Sequence, residues 1–532
     1  MPTIEIIVAL VLASAVLAGL ARLINVHYAI LLVLGGLALG FVPGIIAPSI
    51  QPNVIFFVFL PPLIYAAAFR SSTRDLRANA GPVARLSIGL VLVTMAGVAL
   101  VAHLVAGIGW GPATVLGAVL GPTDPVAATS LLRRVGAPDR ISTVLEGESL
   151  VNDGSGLTVY KLAVAAVVSG SFSIASSFGS LVIALCGVVI GLVAGVISTE
   201  IRRRIDEPPI EVSISLLTAY LAYIPAERLG SSGILAAVAA GLYTGRRSGA
   251  ILSAPSRLQM LAFWDVMTFL LESVLFLLIG LQLPYIMRGL HGGIGVQLGA
   301  AAAVLVAVSA VRLGWMFAMP LVLRPARVRV RGPAARPGSR ERVDARRAEL
   351  FVLGWSGMRG AVSLAAALAL PLTAAHQHPF PARDVVIFIA YMTIVAGLVI
   401  SGLTLPFLVR WLGLAEGDEI ARAEARARVQ LAHAALRRIE EAADRQELPG
   451  AAAEQLRSLY ETRLHRLAPQ TGEEAEIGDE SEIAWRMREL HQQLIVAERA
   501  RLREMRREGA ITADAARRIE RDLDLEESRI AA

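Results

Sequence analysis

Apolar residues run along this chain in long blocks, not in the stripes of a helix with one wet face. Thirteen blocks can be drawn, near residues 3–22, 28–47, 53–69, 83–107, 112–133, 143–169, 175–199, 211–224, 233–243, 258–283, 293–323, 349–371 and 384–411. Most are long enough to cross a hydrocarbon core of roughly 30 Å as a helix. The pattern predicts an all-α polytopic membrane protein with about 13 transmembrane helices. The eighth and ninth blocks are short, which allows a tilted or partly re-entrant segment at each. Beyond residue 411 charged and apolar positions alternate at helical spacing, as at Leu431, Ala434, Ala435 and Ile439, with breaks at Pro449-Gly450 and near Pro469 to Gly478. The change predicts a transmembrane domain over 1–411 and a solvated helical tail over 412–532.

The connections between blocks carry an orientation. Arg70, Arg74 and Arg77 follow the third block, Arg133, Arg134 and Arg140 the fifth, Arg202, Arg203 and Arg204 the seventh, and Arg246 and Arg247 the ninth. The connection after the eleventh, Arg324 to Arg347, is crowded with arginine. The alternate connections hold only Arg228, Arg288 and Arg383. Short basic loops lie on the cytoplasmic side. The N-terminus is therefore expected outside a plasma membrane and the tail in the cytoplasm.

Composition narrows the function classes. Hydrophobic residues make up 55% of the 532 and charged residues 18%, too little polar surface for a soluble fold of this size. The first block, from Thr3 to Leu20, lacks a basic leader and a cleavage pattern, so it reads as a retained helix. Cys186 is the single cysteine, which rules out an internal disulfide or a thiolate cluster. Residues 1–411 carry a net charge of +12 and residues 412–532 a net charge of −6. The basic excess is arginine, since Lys161 is the only lysine. No basic patch is interleaved with aromatics, so no nucleic-acid partner is expected. No HExxH, GxSxG elbow or paired acids at a membrane face suggests an enzyme, and no cofactor motif appears.

The informative residues are ionisable groups at mid-membrane depth, which are costly and usually functional. The fifth block contains Gly121-Pro122-Thr123-Asp124-Pro125, which a regular helix cannot accommodate. A span broken there frees backbone groups and is tolerated only beside protein or a wet cavity. The sixth contains Glu146-Gly147-Glu148-Ser149-Leu150-Val151-Asn152-Asp153-Gly154, with Asp153 at the depth of Asp124. Burial penalises the charged form of an acid, so a proton and a small cation compete for one such carboxylate. A structural ion-pair partner is the alternative for a buried acid. The twelfth contains Trp355-Ser356-Gly357-Met358-Arg359-Gly360-Ala361-Val362-Ser363, a second break that mirrors the first, as in inverted-repeat transporters. Arg312, inside the eleventh block, needs an anion, and the buried acids are candidates. Glu272 in the tenth is open to a pairing or a pathway role. His27 and His103, at segment ends, read as interfacial anchors, with a pH-sensing role as the alternative.

These motifs, with Phe263-Trp264, Phe269-Leu270-Leu271-Glu272-Ser273 and Leu278-Ile279-Gly280-Leu281, resemble the signatures of the sodium/proton exchanger family, in its bacterial branch with an Asn-Asp pair and a cytoplasmic tail. The resemblance covers roughly residues 5–411. It implies that segments five and twelve cross as unwound helices and that Asp153 is the ion-binding acid, a site for a monovalent cation only. Thr123, Asp124, Ser149 and Asn152 would surround it. It also implies a lipid-embedded homodimer that moves a core domain against a dimerisation domain. The Asn-Asp pair implies electroneutral exchange of sodium, with potassium or lithium as further candidates, against protons. Some relatives carry an acid after the Pro-Pro of segment three; here Pro61-Pro62-Leu63-Ile64-Tyr65 is followed by Ala66. Glu148 lies five residues before Asp153, so at 100° per residue it points about 140° away. It is expected to pair with Arg312, which the family fold brings against segment six, with Arg359 as the rival partner. A channel on the same scaffold and a sensor anchored by its membrane part are the competing readings.

Overall fold

In a computed structural model the described residues are 3–24, 26–42, 55–124, 126–170, 174–290, 293–322, 340–374, 378–414, 417–447 and 449–467, with scattered positions between 494 and 523. Among them the chain is helical, apart from one isolated bridge between Thr373 and Pro379. It divides into two compact units, Met1–Glu416 and Gly417–Ala532.

The first unit begins with α1 (Thr3–Leu23), α2 (Tyr28–Gly40) and α3 (Leu60–Arg70), the last entered through a π-helical turn at Ile55–Phe59. Then come α4 (Ala80–Ala106), the half-helices α5 (Trp110–Val119) and α6 (Val126–Val135), and the long α7 (Asp139–Ser169). Next are α8 (Ile174–Arg202), α9 (Pro208–Arg228), α10 (Gly233–Ile251), α11 (Ala254–Leu281) and α12 (Ile294–Val322). The half-helices α13 (Arg340–Trp355) and α14 (Ala361–Leu368) and the long α15 (Arg383–Trp411) complete it. Among the described residues six helices are long and apolar enough to cross a membrane by themselves: Ala80–Ala106, Val182–Arg202, Pro208–Arg228, Ala254–Arg288, Ile294–Ala318 and Arg383–Trp411. Large apolar side chains such as Leu104, Val189, Leu221 and Phe407 face outward, as lipid contact requires.

The two short blocks at 211–224 and 233–243 are the regular helices α9 and α10, with 21 and 19 residues. Hydropathy understated them because they are built from Ala, Gly, Ser and Tyr, which pack against other helices. A Cβ added at Gly187 or Gly191 of α8 would strike the backbone of Ser232 or Ala236 at the start of α10. Small residues four apart allow this close approach, and in lipid close packing drives helix association. Ser232 caps α10 by accepting from the Leu235 amide.

The contacts sort the helices into two sets. α1, α2, α3 and α8 to α11 pack mainly on one another, as do α4 to α7 and α12 to α15. Lys161 of α7 spans the sets to reach Glu227 at the end of α9, at 2.9 Å.

In the second unit, α16 (Gly417–Asp444) and α17 (Gly450–Leu467) form a hairpin. Its buried stripe is Ala425, Ala432, Ile439 and Ala442. Leu431, placed on the apolar face by the sequence pattern, is exposed instead. The expected break at 469–478 and most of the arginines of 324–347 lie outside the described residues.

Candidate functional site

The two broken spans come apart at the Gly-Pro-rich run of the first and the two glycines of the second, and they meet there. α5 ends at Val119, and the chain passes through Gly121 to Asp124 before α6 begins at Val126. Pro125 lies outside the described residues. α13 ends at Trp355 and α14 begins at Ala361. The Asp124 amide donates to the Met358 carbonyl at 2.8 Å, and Arg359 Nε donates to the Leu120 carbonyl at 2.7 Å. Arg359 Nη1 donates to Gly357 O at 2.9 Å. A Cβ at Gly360 would fall on the Asp124 carboxylate, so only glycine lets the two strands cross this closely. The crossing thus satisfies backbone groups that two broken helices leave orphaned in an apolar medium.

Arg359 was a candidate for an ion pair with Glu148. It forms none among the described residues, because the carbonyls freed by the two breaks take its guanidinium. Arg312 of α12 holds Glu148 instead, with Nη1 to Oε1 at 2.5 Å and Nη2 to Oε2 at 2.8 Å, both side chains 1% exposed. This is the bidentate fork that makes arginine–carboxylate pairs strong. Arg312 Nε also donates to the Leu353 carbonyl at 3.2 Å. Thr123 Oγ1 donates to Glu148 Oε1 at 2.9 Å and accepts from Asn152 Nδ2 at 2.9 Å. A directional chain therefore runs from Asn152 through Thr123 to Glu148, and Arg312 closes it. A π-helical turn at Arg85–Leu90 of α4 backs it: Ser87 Oγ donates to the Glu148 carbonyl, and the Ser87 carbonyl accepts from Ser155 Oγ.

On the other side of α7 the chain of bonds gives way to open space. A cavity of about 500 Å³ is lined by Thr123, Asp124, Ser149 and Asp153, with Ser363 of α14 beside them. Ser149 and Asp153, one turn apart, share this face of α7. Among the described residues none donates a hydrogen bond to the Asp153 carboxylate. Asn152 is fully buried and does not line the cavity; it stands behind Thr123, and its Oδ1 is a buried acceptor with no partner. The opposite wall comes from the other helix set, through Tyr28 of α2, Leu63 and Ala67 of α3, and Thr268 and Glu272 of α11. Tyr28 Oη donates to Glu272 Oε2 at 2.7 Å. Ala66 is buried in the cluster that also holds Trp264 and Ala219, and it does not line this cavity.

Arg70 and Arg133 line the cavity at the basic ends of α3 and α6. Asp265 holds Arg70 at 2.9 Å, and Glu146 holds Arg133 at 2.6 Å. The lining carries five carboxyl groups and two guanidinium groups, so the space favours cations. Among the described residues no three acidic, histidine or cysteine side chains converge as a multivalent metal ion would need.

Sequence reasoning missed Tyr28, Asp265 and His27. Tyr28 meets its partner 244 residues away, with no local signal. Asp265 has a local signal, as the acid that follows Trp264 in the tenth block. His27 is no interfacial anchor: it is buried, caps α2 through Nδ1 and bonds Ser130 Oγ through Nε2 at 2.6 Å. That contact joins the two helix sets.

Comparison with known proteins bears on this geometry. The family described as "Sodium/hydrogen exchanger, transmembrane" matches residues 9–411. A protein of Mycobacterium tuberculosis named an uncharacterized Na+/H+ exchanger is 34% identical over 531 residues, covering 99% of this chain and 96% of that one. A "Sodium, potassium, lithium and rubidium/H+ antiporter" of Bacillus pumilus is 30% identical over 375 residues, covering 68% of this chain and 54% of that one. Among solved structures, the sodium proton antiporter MjNhaP1 of Methanocaldococcus jannaschii aligns with a TM-score of 0.63 at 19% identity, covering 78% of this chain and 99% of that one. At that identity the likeness is one of fold.

Proposed function

The chain belongs to the sodium/hydrogen exchanger family, whose members are secondary transporters and not enzymes, and from this premise we propose that Asp153 is the carrier in a one-for-one exchange of sodium for protons. One observation carries the assignment. The Asp153 carboxylate faces the cavity, among the described residues without a protein donor, beside the crossing of two broken helices. A single carboxylate that holds a proton or a cation, but not both, couples the two flows without further machinery. Asp124, Thr123 and Ser149 supply oxygens at the same wall, and Asn152 positions Thr123 from behind.

The transported ion is sodium, with potassium and lithium as further substrates, a breadth carried in the name of the Bacillus relative. The cavity mouth lies at the arginine-bearing ends of α3 and α6, which the loop-charge rule places in the cytoplasm. The N-terminus is then outside. The protein works as a homodimer in the plasma membrane and serves cation and pH homeostasis. The test is proton movement in proteoliposomes on addition of sodium, potassium or lithium. Sodium should drive it, and an imposed membrane potential without an ion gradient should not. Potential-driven, sodium-dependent proton flow would contradict one-for-one coupling. No cation-dependent proton movement at all would refute the exchange itself.

We further assign transport to the first unit alone. Every residue of the cavity precedes residue 412, while the tail hairpin has its own buried stripe. A chain truncated after Glu416 should keep exchange within about threefold of the full-length rate, the range of a modest surface perturbation. Complete loss in a well-inserted truncation would refute it.

A further inference from the structure

Building on the exchange reading, we propose that Glu272, Tyr28 and Thr268 form a second monovalent-cation subsite, a loading station on the cavity wall that faces Asp153. Glu272 lines the cavity together with Asp153 and Asp124 but belongs to α11, in the other helix set. Among the described residues these three acids do not converge into one ligand cluster, and Glu272 belongs to the facing wall. It marks a separate position along the same space.

The surroundings of Glu272 are those of a binding group. A carboxylate kept for structure at this depth would be matched by a base, because an unpaired charge is costly there. Among the described residues Glu272 has no ion pair. Of the two arginines on the cavity, Arg70 is held by Asp265 and Arg133 by Glu146. Its hydrogen-bond donor is the neutral hydroxyl of Tyr28, so among the described residues no base neutralises the carboxylate by direct contact. Compensation must come from something mobile, a proton or a cation from the cavity.

The ligands for a cation are in place. Thr268 sits one turn before Glu272 on α11 and lines the same cavity; its hydroxyl donates to the Trp264 carbonyl at 2.6 Å, which leaves its lone pairs available. The Tyr28 hydroxyl donates to the empty carboxylate and can turn a lone pair toward an ion that arrives. Carboxylate and hydroxyl oxygens are the hard donors that sodium-like cations prefer. A cation at Glu272 is held inside the mouth and then passes to Asp153. Loss of the station should therefore weaken loading without touching the exchange step.

The experiment compares the cation dependence of exchange in wild type, Glu272→Gln, Glu272→Asp and Tyr28→Phe, in proteoliposomes loaded with equal amounts of folded protein. Glu272→Gln should raise the KM for sodium about five- to tenfold, the scale of one lost charge interaction, and keep the maximal rate within about twofold. Glu272→Asp should recover part of the loss, and Tyr28→Phe should raise the KM by a smaller factor. In an Asp153→Asn background, residual binding of radioactive sodium should persist and disappear when Glu272→Gln is added. An unchanged KM in Glu272→Gln, or a lower maximal rate with KM unchanged, would overturn the subsite and assign Glu272 to structure. If Glu272→Gln does not fold, an unchanged KM in Tyr28→Phe and Glu272→Asp overturns it equally. Failure of the wild type to exchange would strike the exchange reading instead, so the two outcomes stay distinct.

Discussion

Asp153→Asn is expected to leave a folded, inserted protein whose exchange falls to the background of empty liposomes, a loss of at least about a hundredfold. The substitution keeps the shape of the side chain and removes both of its functions. An amide can neither take up a proton in this range nor neutralise a bound cation. No hydrogen bond within the protein is broken, because among the described residues none is donated to that carboxylate. The ion pair of Glu148 with Arg312 lies on the other side of α7 and is undisturbed. Stability should therefore be unchanged or slightly raised, since an acid is removed from near Asp124 on the same cavity wall. Melting temperature in detergent and size on a gel-filtration column check the fold; sodium-driven proton movement checks the function. Exchange at the wild-type rate in a folded variant would remove Asp153 from the carrier role. The contrast with Glu272→Gln is diagnostic: one variant should lose the maximal rate, the other apparent affinity.

What could be read from the sequence was what local chemistry decides. Two prolines and a glycine within Gly121 to Pro125, and two glycines within Gly357 to Gly360, weaken a helix locally, so both interruptions are legible in the sequence, although single residues such as Gly154 and Pro406 stand inside unbroken helices. Counting residues along a span gives depth, and 100° per residue gives direction, which was enough to separate the face of Glu148 from that of Asp153. What depended on distant neighbours was hidden. Asn152 reads as a ligand beside Asp153, yet it bonds Thr123 and stands behind the cavity wall. Arg359 reads as a charge in need of an acid, yet its Nε and Nη1 go to carbonyls exposed by the facing helix break and by its own. Segments eight and nine looked short because their hydrophobicity comes from packing small residues against other helices. His27 looked like a segment-end anchor because its partner, Ser130, lies 103 residues away.

The Glu148–Arg312 pair carries the second large effect, and here stability and function should fail together. Both groups are buried, and each is the main counter-charge of the other. Removing one partner strands the other in a medium that cannot solvate it, a penalty of roughly 3–5 kcal/mol in comparable buried pairs. Glu148→Gln and Arg312→Gln should each lower the melting temperature by several degrees and reduce the amount of inserted protein. Glu148 also accepts from Thr123, and Thr123 accepts from Asn152, so the loss is transmitted to the cavity wall beside Asp153. Exchange in whatever folded protein survives should therefore be slower as well. Reversing the pair, Glu148→Arg with Arg312→Glu, restores charge balance but not direction. The guanidinium cannot accept the Thr123 hydroxyl proton, and a glutamate at 312 cannot donate to the Leu353 carbonyl as Arg312 Nε does. The double variant should regain part of the stability and little of the exchange. A double-mutant cycle measures the coupling. It should be large for 148 with 312 and small for 148 with 359, because Arg359 gives Nε and Nη1 to backbone carbonyls and none of its donors to Glu148 among the described residues. Coupling near zero for 148 with 312 would mean that the buried fork is not what holds α7 against α12.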